Sequence, residues 1–112
     1  MKFALSVLCA ALLAASATPA LAADAGTAAI EAIGKINGAA LACQQPAIAS
    51  RARNAMQTTA PKTRANGETF ENATNGAFLE QGKGAACPDA ARFATLLGEA
   101  EKSLQAAFPA PR

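Results

Sequence analysis

The apolar positions of this chain recur every three or four residues, and no stretch alternates with the period of a strand. Ile30, Ile33, Ile36, Ala40 and Leu41 mark a first helix, with Thr27 as its expected N-cap and its end near Cys43 or Gln44. Gly34 and Gly38 fall on one face of it and leave room for a second helix to approach closely. Pro46 cannot continue that helix without losing a hydrogen bond, but it suits the first position of another. Ile48, Ala52, Ala55, Met56 and Thr59 then form one face, and Arg51, Arg53, Asn54 and Gln57 the other, up to Pro61.

A third helix follows from Phe70, Ala73, Ala77 and Phe78, and Gly82 and Gly84 close it. The fourth is the clearest. Pro88 suits its first position, Asp89 complements its positive end, and Phe93, Leu96, Leu97, Ala100, Leu104, Ala107 and Phe108 make a continuous stripe. The expected fold is all-α, a small helical bundle of three to four helices with one disulfide. In it the third and fourth helices face each other as an antiparallel pair, so that Phe70, Phe78, Phe93, Leu97, Leu104 and Phe108 share one core.

The first 22 residues read differently. Lys2 gives a positive start, Phe3 to Ala15 is apolar apart from Ser6, and Ala20-Leu21-Ala22 is a small-x-small box. This is the pattern of a secretory signal peptide cleaved between Ala22 and Ala23. Its apolar run is shorter than the roughly 20 residues a membrane span needs. The expected organisation is a leader over residues 1–22 and one small domain over 23–112, exported to a bacterial periplasm.

Composition makes a covalent staple necessary. Over half of the residues are hydrophobic, but many of these are alanine, and Trp, Tyr and His are missing. Cores this thin usually need reinforcement. Cleavage would remove Cys9 and leave Cys43 and Cys87, an even pair in an oxidising compartment. A disulfide closing that 44-position loop is worth about 4 kcal/mol in the chain-entropy picture. Neither a Cys-x-x-Cys redox motif nor a haem-attachment motif is present, and two cysteines without histidine are too few for zinc.

Charge excludes one partner class. Without Lys2 the chain holds nine Lys and Arg against eight Asp and Glu, too nearly balanced for a nucleic-acid surface. Chemistry is equally sparse. No histidine can activate a serine, Glu68/Glu71 and Glu99/Glu101 read as solvated helix charges, and Gly82-Lys83-Gly84 lacks the strand and motif of a phosphate loop. No catalytic residue, metal or cofactor is expected.

The one unusual polar feature is Arg51, Arg53, Lys62 and Arg64, four cations with no acid between them. The plainer reading, which is preferred, is a solvated surface offset by Glu68 and Glu71. The sharper one is a binding patch for an acidic partner surface or an anionic lipid headgroup. The function expected is that of a binding or inhibitory, protective protein acting on an envelope partner, with the oligomeric state open. The alternative is a stress chaperone. The chain is similar in layout, through its size, export and single disulfide, to the small acid-stress chaperones of the enteric periplasm. An enzyme of uncharacterised type ranks third.

Overall fold

A computed structural model describes the backbone of residues 18–110 and the side-chain surroundings of residues 25–110. Residues 1–17, with the apolar run of the expected leader and Cys9, lie outside the described residues. Four helices follow in order: α1 (Thr18–Ala42), α2 (Pro46–Thr59), α3 (Arg64–Gly82) and α4 (Ala90–Ala107). Among the described residues there is no strand.

The sequence explains most boundaries. Pro46 opens α2. Thr63 caps α3, its hydroxyl accepting from the Asn66 amide at 3.1 Å. The Asp89 carboxylate caps α4 by accepting from the Arg92 amide at 2.8 Å. Pro88 therefore precedes the cap and is not the first helical residue. Thr27 is no cap either, because α1 begins at Thr18 and carries it in its interior.

The corner after α1 has a cause beyond Pro46. Gln44 adopts φ 60°, in the left-handed region. The Gln45 amide donates to Ala40 O at 2.8 Å, and the Gln44 amide to Leu41 O at 3.4 Å. This is a Schellman turn with glutamine where glycine is usual. It leaves Cys43 at the corner, half-buried against the Phe93 cluster and bonded to Cys87 with the two Cα atoms 5.8 Å apart.

The helices alternate in direction around α1. Phe108, at the end of α4, lies over Gly26, while Phe93 near its start shares a cluster with Ala40 and Ala49. So α4 runs opposite to α1. Gly34 meets Phe70 and Ala73, and Gly38 meets Thr74 and Ala77, so α3 runs in the same direction as α1. The core sits between α1, α2 and α4. Ile30, Ile33, Leu97 and Leu104 are fully buried there, with Ala29, Ala52, Ala55, Ala60 and Ala100 around them. Phe93 anchors a smaller cluster at the other end. Each such large side chain is worth about 1.5–3 kcal/mol when fully buried. Alanine at Ala49, Ala52 and Ala55 lets α2 lie close and fills the remaining space with methyl groups.

The expected pairing of α3 with α4 does not form. No Cα of α3 comes within 8 Å of α2 or α4, and α3 contains no fully buried residue. Its partner is α1. Phe70 is half-buried against the core, but Phe78 is 47% exposed and outside it. The reason is steric. Gly34 and Gly38 let the α3 backbone approach so closely that a Cβ on Gly34 would stand 2.8 Å from Phe70 O. The small face of α3 wins that contact, and Phe78 projects to one side of it.

Candidate functional site

The seam between α1 and α3 is built from small residues and one polar pair. Asn37 lies between the two glycines in sequence and is 3% exposed. Its Nδ2 donates to Thr74 Oγ1 at 3.2 Å, and that hydroxyl donates to Gly34 O at 3.2 Å. Asn37 Oδ1 is buried and has no hydrogen-bond partner. A buried amide oxygen left unpaired costs about 1–3 kcal/mol.

Because the α3 backbone comes close only to α1, a groove opens on each of its flanks. The one facing α2, about 760 Å³, has a floor of Met56, Ala60 and Phe70, with Arg53, Lys62 and Glu71 at its rim. The one facing α4, about 600 Å³, is more apolar. Ile36, Ala39, Ala77, Phe93 and Leu96 line it, between Lys35 and Glu80. A third feature lies at the far end of the seam. Leu41 is 42% exposed, Phe78 47% and Leu79 64%. Gly38 meets Thr74, so Leu41 and Phe78 each stand one turn further along two helices of the same direction.

The four cations have different neighbours. Arg51 reaches α4 and holds Glu101 with both arms of its guanidinium, at 2.7 and 3.0 Å. The hydrogen bond to Glu101 and its charge hold the guanidinium above its ordinary pKa. The acid that offsets Arg51 is thus Glu101, not Glu68 or Glu71. Arg53 and Lys62 share the groove facing α2, and Arg64 is the first residue of α3, exposed and off that groove. Among the described residues neither Arg53, Lys62 nor Arg64 makes an ion pair.

The disulfide gives the site its frame. Cys87 follows α3 by a short loop, and Gln81 Nε2 secures that loop by donating to Ala85 O at 2.7 Å and Ala86 O at 3.1 Å. The bond thus joins the end of α1 to the approach to α4, and α3 lies between the two cysteines in sequence. Among the described residues, no three or more metal-ligating side chains cluster, and no helix is long and apolar enough to cross a membrane.

Asn37 and Thr74 escaped the sequence reading, although the pattern Gly34-x-x-Asn37-Gly38 held a signal. An amide placed mid-helix beside two glycines has backbone near it and needs a partner across the contact. No protein-family model matches this chain, and neither a curated protein nor a solved structure is detectably similar to it.

Proposed function

We infer that this chain is an exported periplasmic protein that binds a protein of the cell envelope in a protective or inhibitory role, and does not act as an enzyme. The observation that supports this is the exposure of Leu41, Phe78 and Leu79, all toward one end of α1 and α3. The core takes up none of them. Large apolar side chains gathered on a surface mark a contact with something else.

A stress chaperone draws support from the same residues, since unfolded clients also cover exposed apolar surface. The two readings separate on selectivity. Oxidised full-length protein, immobilised and offered an exported-protein extract with crosslinking, should retain one dominant partner. Phe78→Asp with Leu79→Asp should abolish that retention while leaving helicity and the disulfide unchanged. Suppressed aggregation of several unrelated unfolded clients, without a dominant partner, would favour the chaperone. Failure of both would overturn the binding reading.

A further inference from the structure

We propose that α3 is a displaceable helix, and that the face of α1 beneath it is a seat for a helix of the binding partner. That partner helix carries two small residues one turn apart with an Asn or Gln between them. The proposal rests on the binding reading above and names the chemistry of the partner.

Three observations converge on it. First, the α3 backbone comes close to α1 alone, its one large side chain on the core is the half-buried Phe70, and it has no fully buried residue. Second, the staple spans the two sides of α3. Cys43 ends α1, Cys87 precedes α4, and α3 can leave while these stay joined. The loop of Pro61, Lys62 and Thr63 before it, and the four residues Lys83 to Ala86 between its end and the anchored Cys87, are the slack it has.

Third, the seat is better matched to another helix than to α3. A hydroxyl has one proton. Thr74 gives it to Gly34 O and accepts from Asn37 Nδ2, so nothing remains for Asn37 Oδ1. A carboxamide at that position has two N–H donors and an acceptor. It can accept from Asn37 Nδ2 and donate to Asn37 Oδ1 together, which completes the pair that α3 leaves half made. The small residues are required on either side, because Gly34 and Gly38 leave no room for more than the methyl groups of Ala73 and Ala77. Displacement uncovers the seat at the end where Leu41 stands exposed, so a partner can begin there.

The test uses the full-length oxidised chain and synthetic peptides of residues 61–84, fluorescently labelled, in three forms: native, Thr74→Asn and Thr74→Val. Ala77→Leu in the protein crowds its own α3 off Gly38 without altering the seat. This variant should bind the native peptide at least about tenfold more tightly than the wild type does, since the tethered helix no longer competes. The Thr74→Asn peptide should bind about tenfold more tightly than the Thr74→Val peptide, the ratio for one completed hydrogen-bonded pair. Gly38→Val in the Ala77→Leu background should abolish binding.

Equal affinity of the Asn and Val peptides, or no peptide binding by a helical, oxidised variant, overturns the seat. A doubled mass of the variant without peptide assigns the seat to a second copy and overturns the partner. Should Ala77→Leu not fold, hydrogen exchange on the wild type decides. Amides 65–82 should exchange at least about tenfold faster than those of Phe93 to Leu104, and equal rates overturn the proposal. The peptide and exchange arms need no natural partner, so the seat can stand where partner capture fails, and fall where capture succeeds.

Discussion

Helices α3 and α4 have nearly the same length, 19 and 18 residues, and opposite ways of holding on. The α4 helix buries Phe93, Leu97, Ala100 and Leu104 between α1 and α2, and removes large apolar side chains from water. The α3 helix buries no residue completely. It meets α1 through Ala73, Thr74 and Ala77 across two glycines, a close contact made by small residues. Large apolar side chains removed from water set most of the stabilisation, so a seam of small residues gives α3 less of it than α4 has. The molecule therefore divides into a stapled unit of α1, α2 and α4, and one helix laid on it.

That division is broken most severely within the stapled unit. Phe93→Ala should cost about 3–5 kcal/mol in denaturant unfolding, because its side chain is 1% exposed and anchors the Ala40–Ala49 cluster. A loss below about 1 kcal/mol, the range of surface changes, would contradict that burial. Removing the disulfide with Cys43→Ala and Cys87→Ala should cost about 2–5 kcal/mol, and two alkylatable thiols in the native chain would show that the bond does not form.

Gly38→Val tests the seam itself. The added side chain meets the carbonyl of Thr74 and the methyl of Ala77. Overpacking of this kind costs about 1–3 kcal/mol, and here the expected loss falls on α3. Amides 65–82 should lose protection against exchange while the stapled unit keeps its own. Uniform loss along the chain would show that α3 and the unit fold as one.

Helix positions and the disulfide were legible because they rest on local signals: apolar period, prolines, caps and cysteine parity. The neighbour of α3 was not. Phe70, Ala73 and Ala77 share one face, but spacing alone joins Phe78 to them, although it stands about 100° round the helix from Ala77. Two apolar stripes linked by a short loop suggest a hairpin, and α3 would have paired with α4 on that rule. Gly34 and Gly38 decided otherwise, by admitting backbone where side chains usually meet. The role of Arg51 was hidden for a similar reason, since Glu101 is its partner only after α2 and α4 are side by side.

The corner at Cys43 offers a smaller change. Gln44 holds φ 60°, where a side chain crowds the following carbonyl. Gln44→Gly should relieve that crowding and lose some of the gain to the freer unfolded chain, for a net stabilisation of about 0.5–1 kcal/mol. A lower midpoint in denaturant would show that the glutamine side chain contributes something the turn needs.

The least effect on stability should come from the residue that matches Phe93 in kind. Phe78 is 47% exposed, on a helix with no buried residue, and outside both core clusters. Phe78→Ser should change unfolding by no more than about 0.5 kcal/mol, as surface substitutions do. Placed beside Phe93→Ala, it compares one side-chain type on the two helices and measures the division of the molecule directly. A cost near that of Phe93→Ala would mean that α3 is part of the core in solution. A neutral substitution that also weakens capture of the proposed partner would assign Phe78 its role, since an aromatic ring that adds nothing to the fold is then needed for the contact.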